Sequence, residues 1–252
     1  MTIRALASFA AAVRDCSSTT LRRTLATGTR GARGHGWYLK YRAGLGDRHL
    51  QGPHPNRNID SLNAMNQQAL DMGSIQMFLE LTHDNNSAKT RIDLTCAKYA
   101  LPKTTTNFEL LCQEKTYVNS LVYRFQKEVG FCLGDYVKNT GKAGACHPSV
   151  NNIWGRVDSE PLVMSHTPGT ISLITPGVDK GDSRFMLITH DSPHLEGKFV
   201  PFGKMTEESL EALLDIEKRG IYTVRGRPIL DMFISDCGVV NHPQEEPLSA
   251  SA

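Results

Sequence analysis

The sequence contains no apolar stretch long enough to cross a bilayer. About 18 uninterrupted apolar residues are needed for that, and even the apolar patch Ala5–Val13 is bounded by Arg4 and Arg14. We therefore expect a soluble or peripherally bound protein without a membrane span. The composition, 40% hydrophobic and 21% charged, excludes a fibrous or wholly disordered chain.

The chain is also short of metal-binding and phosphate-binding motifs. Its six cysteines form no C-x-x-C pair, and only the adjacent Cys146 and His147 bring two zinc-ligand types together. We expect free thiols in a reducing compartment, with no metal and no cofactor; a zinc site is the alternative. The Gly-rich segment 177–181 lacks the G-K-[ST] ending of a phosphate loop and is interpreted as a surface turn.

Acidic residues are scarce at the start of the chain. Residues 1–34 carry six arginines against the single acid Asp15, with many Ser, Thr and Ala. On a helix, Ile3, Leu6, Phe9 and Val13 share one face, so the segment is amphipathic as well as basic. This combination predicts a mitochondrial transit peptide and a matrix location, with a disordered basic tail as the alternative. Without this segment 22 basic and 25 acidic side chains remain, a balance of about −3, so the rest is not a general nucleic-acid binder.

Residues 35–73 are rich in Gly, His, Asn, Gln and Arg and poor in periodic apolar residues. They are predicted to form an extended basic arm without a core of its own. The alternative is a small helix over Ile59–Met72, which would need a partner surface. Interleaved aromatic and cationic residues can stack on bases and neutralise phosphates. The candidate contacts with RNA or a partner are Trp37, Tyr38, Lys40, Tyr41, Arg42, Arg48 and Arg57.

The remaining chain shows short strands and two helices. A helix is predicted over Pro102–Gln113, because proline is tolerated in a first turn. A second is predicted over Thr206–Arg219, with Thr206 as its N-cap. Many short strands with two helices predict a mainly β barrel whose open ends the helices cover. The expected strands are Ile75–Leu81, Lys89–Leu94, Ser120–Phe125, Val129–Leu133, Gly169–Ile174, Arg184–Thr189, Lys198–Phe202 and Phe233–Val240.

The stretch from Pro168 to Gly203 closely resembles the signature region of cyclophilin-type peptidyl-prolyl isomerases. It reads Pro-Gly-Thr-Ile-Ser-Leu-Ile at 168–174, Asp-Ser-Arg-Phe-Met-Leu-Ile-Thr at 182–189 and Pro-His-Leu-Glu-Gly-Lys-Phe-Val-Pro-Phe-Gly at 193–203. Leu101–Phe108, Tyr123-Arg124 with Gly134-Asp135, and Ile234–Gly238 are similar to further parts of that family. The resemblance implies a closed, eight-stranded cyclophilin-like β-barrel capped by two helices over residues 74–241, followed by a disordered tail at 242–252.

The family's reaction needs no nucleophile. An X–Pro bond isomerises over a barrier of about 18–20 kcal/mol, because amide resonance is lost as the bond twists. An apolar socket for the proline ring and a fixed cation facing the twisted nitrogen lower this barrier by favouring the transition state over the planar amide. The resemblance implies that Arg124 is this catalytic cation. The implied substrate-binding residues are Val129, Cys132, Thr175, Met186, His194, Leu195 and Phe199.

Several of these residues depart from the family pattern. Cys132 replaces a glutamine and Thr175 an asparagine, both of which grip the substrate backbone. Val129 replaces a phenylalanine of the socket floor, and Phe199 a histidine. Further replacements are Ile174 and Pro176 for small residues, Arg184 for a glutamine and His194 for a tryptophan. Losing such hydrogen bonds at about 1 kcal/mol each, together with a bulkier rim, is expected to erase one to several powers of ten in rate.

Three functions stay open from the sequence. The leading hypothesis is a mitochondrial cyclophilin-like protein of weak or absent activity that serves as a structural subunit of a large assembly, with the mitochondrial ribosome, its RNA and its proteins as first candidates. The second is an active matrix isomerase that assists folding. The third is a module that binds proline-containing peptides. Arg124 is accordingly either catalytic or a surface arginine paired with a carboxylate such as Glu128.

Overall fold

The structure, a computed structural model, describes residues 58–83, 88–219, 221, 223–224, 226–229 and 231–240. The predicted transit peptide, the arm up to residue 57 with its seven candidate contacts, and the tail at 242–252 lie outside these residues. The helices are α1 (Ile59–Asp71), α2 (Pro102–Gln113) and α3 (Glu207–Lys218). The strands are β1 (Ile75–His83), β2 (Ala88–Cys96), β3 (Arg124–Gln126), β4 (Gly130–Leu133), β5 (Thr170–Leu173), β6 (Phe185–Ile188), β7 (Val200–Met205), β8 (Thr223–Val224), β9 (Arg227–Pro228) and β10 (Phe233–Val239).

Eight strands form one antiparallel sheet in the order β10-β1-β2-β7-β5-β6-β4-β3, and β8 and β9 form a separate hairpin. The sheet curls so that its two ends meet. At that seam Leu121, just before β3, forms an isolated bridge with Phe233 of β10, and the amide of Val122 donates to the carbonyl of Met232 at 2.7 Å. The barrel was predicted to be closed; the described strands form a curled sheet whose two ends are joined by an isolated bridge, because β3 begins only at Arg124.

The main core is formed by the inward-facing side chains of the strands, which alternate with outward-facing ones. Successive side chains of a strand point to opposite faces, and Met77, Leu79 and Leu81 of β1 are accordingly completely buried. Phe108 of α2 lies at the centre of an aromatic group, with ring centroids 5.2 Å from Phe185 and 5.3 Å from Phe202. Both predicted helices are confirmed. The side chain of Thr206 accepts a hydrogen bond from the amide of Ser209 and so caps α3, as expected.

The structure contains a third helix, α1, inside the segment predicted as an extended arm. Its Ala69 and Leu70 belong to the main core. Asn66 is fully buried; its Nδ2 donates to the Ser165 carbonyl at 3.1 Å, and its Oδ1 accepts from the Ser165 amide at 2.8 Å. The domain thus supplies the partner surface that the helical alternative required, and residues 59–71 are a packed helix where an extended arm was expected.

No helix among the described residues is long and apolar enough to cross a membrane.

Candidate functional site

The hairpin of β3 and β4 positions the predicted catalytic cation. Arg124 on β3 pairs in register with Cys132 on β4, so both side chains lie on the same face of the sheet. Arg124 is exposed, whereas Cys132 is only 2% exposed. β4 also runs very close to β6: a Cβ atom at Gly130, whose φ is +152°, would lie 1.9 Å from the carbonyl oxygen of Leu187. Only glycine fits there.

Next to Arg124 lies a small apolar cluster, separate from the main core, which we name the Met186 cluster. Its buried members are Cys132, Met186, Ile188 and Leu195, and Tyr123, Val129, Ile174 and Phe199 pack against them. Five of the seven predicted substrate-binding residues are thereby brought together. These residues lie on different elements. Cys132 of β4 and Met186 of β6 meet because they are register partners, and Leu195 is the last residue of a short 3-10 turn.

The Met186 cluster is filled. Met186 is 3% exposed and Leu195 5%, so their side chains offer almost no free surface to a proline ring. Thr175, next to Ile174 of the cluster, is held by a hydrogen bond: its hydroxyl donates to the Lys198 carbonyl at 2.7 Å. A predicted substrate-gripping residue is thus engaged within the protein. Ile174, beside it, packs on the cluster as a bulkier rim than the family's small residue.

His194, the remaining predicted binding residue, directly precedes Leu195 in the 3-10 turn and is half-buried. Burial, with smaller contributions from the nearby Lys198 and His166, lowers its pKa to about 4. The imidazole is therefore neutral at physiological pH. It can offer one donor and one acceptor, but no charge.

Cys132 does not have the properties of a reactive thiol. Burial raises its pKa to about 12, and the neighbouring Arg124 offsets this only in part. The interpretation as a small buried hydrophobe therefore fits the structure. The other described cysteines, Cys96, Cys112, Cys146 and Cys237, are also buried and free.

Arg124 has no ion-pair partner among the described residues. Glu128, the carboxylate considered for it, forms no ion pair with it; the Glu128 amide, in the β3–β4 hairpin, donates to Oε1 of Glu217 at 2.9 Å. The amide of Phe125 donates to the carbonyl of Gly226 at 2.7 Å, which places the β8–β9 hairpin beside Arg124. The guanidinium is thus held next to the cluster but without a carboxylate to neutralise it.

Sequence reasoning missed a buried ion cluster behind the rim. Asp182 is fully buried and binds the guanidinium of Arg184, with Nη2 to Oδ2 at 2.6 Å. Arg156 joins from a distant loop, with its Nη1 3.1 Å from the same oxygen. Hydrogen bonding to Asp182 is the main cause that raises the pKa of Arg184. The D-x-R spacing was visible in the sequence, but nothing local linked Arg156 to it.

A second buried network orients the turn that carries Leu195. His166 is completely buried; its Nδ1 lies 3.1 Å from Oε2 of Glu196 and its Nε2 lies 2.9 Å from Oγ of Ser172. The His166 amide donates to the other Glu196 oxygen at 2.9 Å. These contacts connect β5 to the turn and keep Leu195 and Phe199 against Met186. Among residues of the described ranges, no group of His, Cys, Asp and Glu could hold a metal ion.

Comparison with known proteins identifies the family. The family model described as cyclophilin type peptidyl-prolyl cis-trans isomerase/CLD matches residues 78–239, from within β1 to the end of β10. The chain belongs to the cyclophilin family. The peptidyl-prolyl cis-trans isomerase-like 3 of Homo sapiens is 28% identical over 168 residues, which cover 66% of this chain and 98% of that protein. Its counterpart in Gallus gallus is 30% identical over 156 residues, covering 61% and 91%.

Family membership supports the cyclophilin fold assigned from the sequence. The roles of Arg124 and of the Met186 cluster stay predictions, because they depend on this chain's own side chains. In this cyclophilin Arg124 is exposed, while the residues predicted to form the socket pack against one another and are largely buried.

Proposed function

We propose that this cyclophilin-family protein is a mitochondrial structural subunit of a large assembly, with the mitochondrial ribosome as first candidate, and that its isomerase activity is weak or absent. The filled Met186 cluster carries the proposal. An isomerase must admit a proline ring beside its arginine, yet Cys132, Met186 and Leu195 are each at most 5% exposed. The Thr175 hydroxyl is engaged by the Lys198 carbonyl.

Two features of the sequence support the location and the assembly. The basic, amphipathic segment 1–34 has the composition of a mitochondrial transit peptide. The basic and aromatic residues between Trp37 and Arg57 are suited to binding RNA or neighbouring subunits. Both segments lie outside the described residues, so these two arguments rest on the sequence alone.

Isomerisation of an X–Pro peptide, followed by NMR exchange, tests the catalytic part. We expect no acceleration by the full chain, by Arg124→Ala or by the control Lys127→Ala, an exposed cation on the same hairpin. The alternative of an active matrix isomerase is favoured by Arg124, which is exposed and forms no ion pair with any residue of the described ranges. It predicts acceleration that Arg124→Ala abolishes and Lys127→Ala preserves. Peptide binding without acceleration would instead indicate the proline-peptide binding module.

Density-gradient sedimentation of mitochondrial extracts tests the assembly. We expect the chain to migrate in a high-mass fraction, and to follow one ribosomal subunit when removal of Mg²⁺ separates the two. A respiratory-chain complex would be indicated by co-migration that Mg²⁺ removal does not affect. A stable monomer, absent from every high-mass mitochondrial fraction, would refute the proposal.

A further inference from the structure

Two cysteines meet where α2 packs against the last strand, away from the Met186 cluster. Cys112 lies in the last turn of α2 and Cys237 lies on β10, and both are fully buried. The Cys237 thiol donates to the Cys112 carbonyl at 3.6 Å, across 125 positions of the chain. The two thiols are also hydrogen-bonded to each other. We name these residues the Cys112–Cys237 pair.

Backbone bonds fix the chain on both sides of the pair. The segment after α2 runs along the start of β10: the amide of Asn119 donates to the carbonyl of Ile234 at 2.8 Å, and the amide of Ile234 donates to the carbonyl of Ser120 at 3.0 Å. A disulfide forms without backbone movement only where two cysteine side chains converge. Two thiols that already share a hydrogen bond in a fixed backbone meet that requirement.

Cys96, the third buried thiol near α2, is less suited as a partner. It lies on β2, and β1 separates that strand from β10. Its sulfur faces β7, because a Cβ atom at Gly203 would lie 2.8 Å from Sγ of Cys96. The geometry therefore favours a bond between Cys112 and Cys237 over one that includes Cys96.

The surroundings favour Cys237 as the more reactive member of the pair. The ammonium of Lys115 binds the Cys237 carbonyl and lies 2.6 Å from Oδ1 of Asp236. The hydrogen bond with Cys112 is the main cause that lowers the pKa of Cys237; burial and Asp236 oppose it, and the charge of Lys115 supports it. Burial raises the pKa of Cys112. Because the thiolate is the nucleophile, Cys237 is expected to react first.

The end of β10 is the part of the sheet through which an oxidant can reach the pair. Within the described ranges, β10 has a ladder with β1 alone, in which Cys237 pairs with Leu79. Its other edge is bonded to the chain at Ile234 and is covered at Cys237 by the side chain of Lys115. A strand held by one neighbour opens locally at a lower free energy than inner strands do. Such opening exposes Cys237 while the rest of the domain stays folded.

We propose that hydrogen peroxide converts the Cys112–Cys237 pair into a disulfide that joins α2 to the last strand. The Cys237 thiolate attacks the peroxide; an S–O bond forms, the O–O bond breaks, and the departing hydroxide takes the thiol proton and leaves as water. The Cys112 thiol then attacks the sulfenic acid; the S–S bond forms, the S–O bond breaks, and a second water leaves. Two thiols are oxidised by two electrons, and one peroxide is reduced to two waters.

The disulfide would strengthen the fold. It closes a loop that contains most of the domain, including Arg124 and the Met186 cluster, and so restricts the unfolded chain. We expect the oxidised chain to have a Tm roughly 5–15 °C above that of the reduced chain. The bond does not depend on the proposed function, because it lies within one chain.

Peptide mapping of the full chain tests the bond directly. The protein is treated with increasing hydrogen peroxide at pH 7.4, its free thiols are blocked, and it is digested without reduction. Trypsin releases Cys112 on residues 104–115 and Cys237 on residues 226–252. We expect these two peptides, linked by a disulfide that dithiothreitol reverses, as the main cross-linked product. A different main pairing, a sulfinic acid at Cys237 without a cross-link, or thiols that stay reduced until the chain unfolds would each overturn the proposal.

Matched variants separate the pair from the other thiols. Cys112→Ala and Cys237→Ala should abolish the cross-linked product, whereas Cys96→Ala, which removes an equally buried thiol, should retain it. Thermal unfolding followed by circular dichroism should show the rise in Tm on oxidation for wild type and Cys96→Ala but not for Cys112→Ala. An equal rise in Cys112→Ala would contradict the proposal, and the wild-type peptide map decides the pairing even where a variant fails to fold.

Discussion

The reactivity of the Cys132 thiol depends on whether the candidate site is closed to solvent. Cys132 stands opposite Arg124 in the β3–β4 pair, where the family carries a glutamine, and it is 2% exposed. A thiolate is the reactive form of cysteine, and burial opposes its formation. The chemistry of this thiol therefore measures whether the Met186 cluster is closed.

We predict that Cys132 in the folded chain reacts with iodoacetamide at pH 7.4 roughly 100-fold or more slowly than a free cysteine peptide. Its pKa is raised to about 12 by burial, and Arg124 lowers it only in part. Arg124→Ala should slow labelling further, because the thiolate loses its neighbouring cation. Mass spectrometry of tryptic peptides measures both rates. Labelling as fast as in the free peptide would show that the cluster is open.

The ionised carboxylate of Asp135 holds the loop at residues 138–142, which lies next to the candidate site. Asp135 is fully buried, and its carboxylate accepts from the amides of Lys138 at 3.1 Å, Thr140 at 3.0 Å and Lys142 at 3.1 Å. Gly141 of this loop packs against the ring of Tyr123, a neighbour of the Met186 cluster. The charge on Asp135 thereby supports one wall of the site.

We predict that Asp135→Asn lowers the free energy of unfolding by about 2–4 kcal/mol at pH 7, because an amide cannot accept all of these bonds. Burial alone raises the pKa of Asp135, but the hydrogen bonds from the loop amides outweigh it and lower the pKa below 3.8. With the folded pKa depressed, this stabilisation is present above the unfolded pKa and is lost as the pH falls through the folded pKa.

Denaturant titrations from pH 7 down to about pH 2.5 check the sign. The gap between wild type and Asp135→Asn should be constant at neutral pH and shrink below pH 3.8. The control Asp215→Asn removes an exposed pair with Lys218 and should cost no more than about 0.5 kcal/mol. A gap that widens in acid would contradict the assignment.

Among the elements, α1 is the helix whose packing decides where the folded unit begins. Its Asn58 caps the first turn by accepting from the amide of Ser61 at 3.1 Å. The helix buries Ala69 and Leu70 in the main core, while Asn66 bonds to the segment before β5. A fragment that begins at Gly73 would expose this surface, so experiments on the site require α1.

We predict that Asn66→Ala destabilises the full chain by about 2–4 kcal/mol, because it leaves the buried amide of Ser165 without its acceptor and removes a second buried hydrogen bond to the hydroxyl of Thr167. Urea unfolding followed by circular dichroism measures the loss. Gln68→Ala, an exposed position on the same helix, should change it by about 0.5 kcal/mol at most. Equal effects at the two positions would mean that α1 does not pack as described.

For the whole molecule, stability and the candidate site are largely separate. The main core is built around Phe108 and Phe185, whereas the Met186 cluster is a smaller group on the other side of β4 and β6. Changes at the rim therefore leave the fold intact while removing room for a substrate. This separation is compatible with the proposed structural role, which needs the cyclophilin fold but not a free surface in the Met186 cluster.

We predict that Arg124→Ala changes neither the free energy of unfolding, within about 0.5 kcal/mol, nor the sedimentation of the chain with its assembly. Arg124 is exposed and lacks an ion-pair partner within the described ranges. Thermal unfolding and gradient sedimentation of the variant check both statements. A loss of sedimentation with unchanged folding would give Arg124 a role in assembly that the proposed function does not include.

The sequence by itself determined the family, the two helices α2 and α3 and most of the strands. Those features depend on local signals: alternation along a strand, proline in a first helical turn, and the Thr206 cap. The resemblance to the family also named five of the eight residues of the Met186 cluster as binding residues, because their order along the chain matches the family.

Only the tertiary structure decided the rest, because the deciding contacts join residues far apart in the chain. The Met186 cluster has little free surface because Ile174 and Phe199 pack against it and because Thr175 bonds to Lys198 across 23 positions. α1 is part of the domain because Asn66 meets Ser165 across 99 positions. Arg156 reaches the buried Asp182 across 26 positions. Periodicity and composition carry no information about such pairs, since each is selected by the shape and charge of the folded neighbourhood.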